Sequence, residues 1–266
     1  PIGEAARLGD LILMLVPDEV QRGVYEGHVE AGLEAGKALV FAHGYNIRYG
    51  LIRPPRDVDV LLVAPRMVGV GVRDLYLRGS GAPAFVGVHQ DASGEAWRRV
   101  LAVAKAIGAT RAGAIRSSFA EETEIDHFME QATWAAIDRI FQLSFEVLVE
   151  EGYPPEVVAL ELYGSGEAAE IMARMAELGL YRQFDLHSKT SQYGTLTRGP
   201  RIIPDEMRER MRATLREIRE GVFVREWEGD RARGYPVFNR VKEAALNHPI
   251  NEAEERIRKL VKVGGV

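Results

Sequence analysis

The sequence predicts an α/β layer followed by an all-helical region, and three observations carry that expectation. Up to residue 116, short β-rich runs alternate with polar or amphipathic segments, the pattern of parallel strands joined by crossover helices. From residue 117 the apolar spacing lengthens to helical period and strand signals nearly vanish. The 266 residues, 46% hydrophobic and 27% charged, are ordinary globular composition with length for two modest cores. Two domains are therefore expected, 1–116 and 117–266.

The expected strands cover residues 11–16, 38–42, 58–64, 84–89 and 112–115. The expected helices cover 121–151, 156–177, 205–220, 235–247 and 252–261. Gly152-Tyr153-Pro154-Pro155 separates the first two of these helices, and Pro200 and Pro204 bracket the entry to the third. No internal repeat or low-complexity segment is visible. A complete dinucleotide-binding sheet opens with a strand feeding a G-x-G-x-x-G turn, whose glycines let a pyrophosphate approach a helix N-terminus. Here Gly69-Val70-Gly71, Gly79-Ser80-Gly81 and Gly164-Ser165-Gly166 each lack the third glycine. Together with a start at Pro1, in an expected helix ahead of an interior strand, this reads as a fragment lacking its first βαβ portion.

A net charge of −5 leaves no basic footprint for nucleic acid, so any anionic ligand must be met by locally placed cations. The absence of cysteine excludes disulfides, zinc–thiolate sites and thiol nucleophiles, and fits a reducing compartment. The longest apolar runs, LILMLV and VLLVAP, are far too short to span a bilayer. A soluble, cytoplasmic protein is expected.

Candidate chemistry centres on EETEIDHFMEQ, where Asp126 and Glu130 lie four residues apart and share a helix face. Paired carboxylates suit a hard divalent cation, although such a pair alone is more often a solvated face. His43 follows strand 38–42 at its carboxyl end, where open α/β sheets bind ligands. Taken alone it is more often a hydrogen-bonded loop residue. Pro17-Asp18 occupies the equivalent end of the preceding strand, where a Pro-Asp helix start is a sufficient structural explanation.

Seven segments in order give these residues a context: VPDEVQ at 16–21, FAHGYNI at 41–47, VAP at 63–65, HQDASG at 89–94, TRAG at 110–113, the Asp126/Glu130 block and SQYG at 191–194. Their order and spacing resemble the ketol-acid reductoisomerase family along nearly the whole chain. The resemblance implies an N-terminal Rossmann-type NADPH domain, here truncated, and a knotted helical domain that completes active sites across a homodimer or larger homo-oligomer. It implies a small 2-hydroxy-2-acyl acid substrate and two Mg²⁺ ions, with Asp126 bridging both and Glu130 holding one. His43 takes a proton-handling role, Pro17 and Asp18 contact the nicotinamide side of the cofactor, and Ser188 meets the substrate carboxylate, unless its hydroxyl only forms a turn. Without the glycine turn, the chain by itself is expected to bind NADPH weakly or not at all.

Two departures from the family stand out. Where the family commonly reads Pro-Lys-Gly-Pro-Gly-His, this chain has Pro65-Arg66-Met67-Val68-Gly69-Val70-Gly71. Arg66 keeps the charge but stays protonated, which removes proton shuttling and leaves stabilisation of an anionic intermediate or the substrate carboxylate. The family's second acidic pair, four residues apart and supplied by the partner subunit, is replaced by Glu161 and Glu167 in LELYGSGE. Six residues on a continuous helix rotate side chains by roughly 240°, so both can serve one site only if Gly164 and Gly166 break the helix. Beside the family reaction, a divergent metal-dependent NADPH reductase of another 2-hydroxy-2-acyl or 2-keto acid and a non-enzymatic dimeric relative stay open.

Overall fold

The computed structural model describes residues 1–262, which divide into two compact units, Pro1–His127 and the remainder from Phe128. In the first unit β1 (Leu11–Met14), β2 (Ala38–Phe41), β3 (Asp59–Pro65), β4 (Ala84–Gln90) and β5 (Ala114–Arg116) form one five-stranded sheet in chain order. Every expected strand is present, with ends moved by at most two residues. Around them lie α1 (Ile2–Leu8), α2 (Asp18–Val24), α3 (Tyr45–Arg48), α4 (Gly69–Leu77), α5 (Ala96–Ala106), α6 (Ala109–Ala112) and α7 (Phe119–Phe128).

Strict alternation explains why the inner strands read as unbroken apolar runs. Leu39, Phe41, Val60, Leu62 and Ala64 point to one face, where Ala6, Tyr25, Val29, Ile47 and Phe119 cover them. Ala38, Val40, Leu61 and Val63 point to the other, beneath Val100, Val103, Ala104 and Ala109. Burial on both faces is what a crossover-connected sheet demands.

The sheet is not uniformly parallel. β1, β2 and β3 run together, but β3 and β4 pair antiparallel before β4 and β5 pair parallel again. The reason lies in α4, which buries none of its residues and therefore does not pack across the sheet as a crossover helix would. The chain turns back instead, with Pro65 opposite Ala84.

One polar network pins this half of the sheet. The wholly buried Asp59 carboxylate accepts the Ala92 and Ser93 N–H groups at 2.8 and 3.0 Å, the Ser93 hydroxyl at 2.7 Å and Arg99 Nη1 at 3.0 Å. Burial opposes ionisation, but these donors outweigh it and hold the carboxyl below its ordinary pKa.

The second unit contains helices only among its described residues: α8 (Ala135–Glu150), α9 (Pro155–Ala159), α10 (Glu167–Leu178), α11 (Lys189–Ile202), α12 (Met207–Arg219), α13 (Val222–Ala232), α14 (Pro236–Leu246) and α15 (Ile250–Leu260). Phe145, Val158, Ala159, Ala253 and Ile257 form its core. The break at Gly152–Pro155 is as expected, with Gly152 left-handed at φ 93° and Pro155 in the first turn of α9. Helices α11 and α13 were not expected. Pro200 does not bracket the entry to the third expected helix but lies inside α11, two residues before its end. There it removes only a bond of the final turn, and the helix stops at Ile202. Among the described residues no helix is long and apolar enough to cross a membrane.

Asp59→Ala strips a buried network of its acceptor and should lower unfolding free energy by about 3 kcal/mol in urea titration. Because the folded carboxyl titrates below its unfolded value, the Asp59 contribution is full at neutral pH and lost as pH falls through the carboxylate range. The stability difference between wild type and variant should therefore shrink in acid.

Candidate active site

Three adjacent parallel strands deliver three functional side chains to one end of the sheet. Asp18 opens α2 shortly after β1, His43 follows β2 by two residues, and Arg66 comes directly after β3. Carboxyl ends of parallel strands are where such sheets gather ligands. Helix α7 closes this corner from one face. Its first turn is rooted in the core by Phe119, edge-on to Phe41 at 6.0 Å between ring centroids.

The approach of α7 depends on Gly44. A Cβ there would fall 2.5 Å from Thr123 Oγ1 and 2.7 Å from the Phe119 carbonyl oxygen, so no other residue fits without moving the helix. The Gly44 N–H then donates to Glu122 Oε2 at 2.8 Å.

Glu122, 1% exposed, is the hub. It accepts from His43 Nδ1 at 3.1 Å and from Arg66 Nη1 at 2.9 Å. One turn on, Asp126 takes the other arm of the Arg66 fork and lies 3.7 Å from His43 Nδ1, and Asp18 lies 3.9 Å from His43 Nε2. Arg48 grips Glu124 at 2.8 Å and fixes the rotation of α7. His43, Glu122 and Asp126 each offer a ligand atom, and these atoms lie within 4.8 Å of one another. Two carboxylates and an imidazole in that arrangement match the donor chemistry of a divalent cation.

Burial by itself would lower the His43 pKa, but the hydrogen bond and charge of Glu122, aided by Asp18 and Asp126, raise it to about 9. Burial pushes Glu122 up, and His43, the Gly44 N–H and Arg66 bring it below its ordinary value. Asp18 is raised by burial despite the nearby His43. The corner therefore pairs a protonated His43 with an ionised Glu122 at neutral pH.

Asp18, His43, Arg66 and Asp126 were anticipated from the sequence; Glu122 was not. The signal was present, since EETEIDHFME contains Glu122 and Asp126 in the same four-residue relation as Asp126 and Glu130. Glu122 also lies one turn from Phe119, on the buried face of α7.

The remaining candidates sit on the following elements. Pro17 is exposed and caps α2. Glu130 falls in a π-helical turn, Met129–Trp134, and Glu161 in another, Leu160–Gly164; both are exposed. That second turn ends at Gly164, and Gly166, left-handed at φ 86°, caps the start of α10 at Glu167, so the two glutamates ride on separate helical segments. Ser188 caps α11, its hydroxyl accepting the Ser191 N–H at 3.2 Å.

Comparison with known proteins joins both units to one family. Residues 1–113 match the acetohydroxy acid isomeroreductase NADPH-binding domain and residues 119–263 the ketol-acid reductoisomerase C-terminal domain. The chain belongs to the ketol-acid reductoisomerase family. It is 48% identical to the ketol-acid reductoisomerase (NADP(+)) of Methanopyrus kandleri, over 98% of this chain and 79% of that protein. The corresponding protein of Kineococcus radiotolerans is 45% identical over 97% of this chain and 75% of its own length. An NADH-preferring ketol-acid reductoisomerase from an uncultured archaeon superposes with a TM-score of 0.93 at 39% identity, covering 98% of this chain and 78% of that one. The family expectation and the fold class, α/β followed by all-α, are both borne out.

The His43 ring should titrate near pH 9 in NMR spectra of metal-free protein, and Glu122→Gln should bring the midpoint back toward 6.5. Since the folded value is raised, this pair stabilises the fold fully below the unfolded histidine pKa and ceases to do so as pH rises through about 9. A midpoint unmoved in Glu122→Gln would remove Glu122 as the cause. Gly44→Ala should displace α7 and lower the His43 midpoint in the same spectra.

Proposed function

We propose that this chain performs the ketol-acid reductoisomerase reaction of branched-chain amino-acid biosynthesis. An alkyl group migrates within 2-acetolactate or 2-aceto-2-hydroxybutyrate, and the resulting ketone is reduced with NADPH to the 2,3-dihydroxy acid. The observation that carries this reading is the convergence of His43, Glu122 and Asp126 within one corner of a chain matched along both units by that family.

In this reading Asp126 and Glu130 hold Mg²⁺, with Glu161 and Glu167 as the further carboxylates, the latter two from a second subunit. Mg²⁺ there would supply Lewis acidity to the substrate hydroxyl and carbonyl, and NADPH the hydride. The chain's own groups do the rest. Glu122 fixes the His43 ring through Nδ1, leaving Nε2 as the atom from which a proton is held or passed beside the substrate. Asp18, at the end of β1, faces that same nitrogen and belongs with Pro17 to the nicotinamide side. Arg66, always protonated, supplies a positive charge for an anionic substrate group, and Ser188 a hydroxyl for its carboxylate.

Two properties belong to the same proposal. The protein works in the cytoplasm, and it assembles as a homodimer or larger homo-oligomer, which is supported by the exposure of Trp134, Leu143, Val147, Val157, Tyr193 and Leu196 on the helical unit.

Asp126→Asn should abolish Mg²⁺-dependent isomerisation of 2-acetolactate yet leave reduction of an already isomerised 2-keto acid much less affected, both followed by NADPH absorbance. Isomerisation at the unmutated rate would overturn the assignment of Asp126.

A further inference from the structure

Arg66 is fastened at both ends. Its N–H donates to the Pro83 carbonyl at 2.8 Å, and its guanidinium carbon stands 5.1 Å from the centroid of the Phe85 ring. From there the fork spans two carboxylates, one arm on Glu122 and the other on Asp126. A guanidinium can do this because its donors are set in a rigid plane; the compact ammonium of lysine, which the family's motif commonly carries here, is a point charge.

We infer that Arg66 is a resident counter-cation of the Glu122–Asp126 pair, and that a divalent ion reaches Asp126 only by displacing its guanidinium. The inference rests on the reading of Asp126 as a metal ligand. An ion coordinated by Asp126 and the Arg66 arm on the same carboxylate would place two positive charges within a few ångströms of each other, a repulsion that disfavours holding both. The side chain is one-third exposed, so it has a path outward. Glu122 retains His43 and the Gly44 N–H when the arginine leaves, so the buried acid stays satisfied.

Metal affinity is therefore set by a competition within the protein, and the test separates competition from charge. Titration calorimetry with MgCl₂ should show Arg66→Lys, which keeps the charge but loses the two-carboxylate bridge, binding about tenfold tighter than the unmutated chain. Arg66→Met, which also removes the repulsion, should bind tighter still. In the unmutated protein, the Arg66 side-chain NMR resonances should move along the same Mg²⁺ titration as the Asp126 carboxyl carbon. Equal affinity in wild type and Arg66→Lys, or arginine resonances that stay fixed while Asp126 responds, overturns the inference alone. A carboxyl carbon of Asp126 that never responds, in any of the three proteins, removes the metal reading and the inference with it.

Discussion

A buried carboxylate, that of Glu122, is the interaction on which the site depends. An isolated ionised acid at that depth would be unfavourable by several kcal/mol, so everything around it is arranged to keep it charged. Its partners are a histidine and the next residue's backbone N–H, both delivered by the segment after β2, and an arginine delivered by the end of β3. In satisfying Glu122 the protein also sets the His43 ring, brings α7 down on Gly44 and ties Arg66 to Asp126. The site is thus a by-product of paying one electrostatic debt.

The geometry of the sheet makes that arrangement possible. Parallel β1, β2 and β3 end side by side, so residues just beyond each strand become neighbours despite wide separation in sequence. The reversal at β4 matters as well. It places Pro83 and Phe85 beside the end of β3, where they hold the backbone and guanidinium of Arg66. A further crossover in the same direction would leave that flank of the site to a helix.

Much of this was legible in the sequence. The runs at 38–42 and 58–64 were readable as interior strands because burial on both faces leaves Asp59 as their one polar residue, and His43 was readable because it follows such a run. The direction of β4 was not, because side-chain alternation is identical in parallel and antiparallel strands. Helix α11 was hidden by KTSQYGTLTRGPRI, whose few apolar residues and internal Pro200 give no helical stripe. Glu122 was overlooked because a glutamate among four acidic residues reads as solvated surface, and only the position of Phe119 one turn earlier turns it inward. The break between Glu161 and Glu167 was readable from glycine alone, since Gly166 adopts the left-handed conformation that β-carbons disfavour.

The central claim is that Glu122, His43 and Asp126 form a cation-accepting corner whose resting cation is Arg66. The most direct measurement is a crystal structure grown with Mn²⁺, with the ion located by its anomalous signal. The account predicts a peak within coordination distance of the Asp126 carboxylate, with His43 still on Glu122 and Arg66 swung away from Asp126. A Mn²⁺ ion bound elsewhere while Arg66 keeps both carboxylates, or no peak at Asp126 at saturating Mn²⁺, would contradict it.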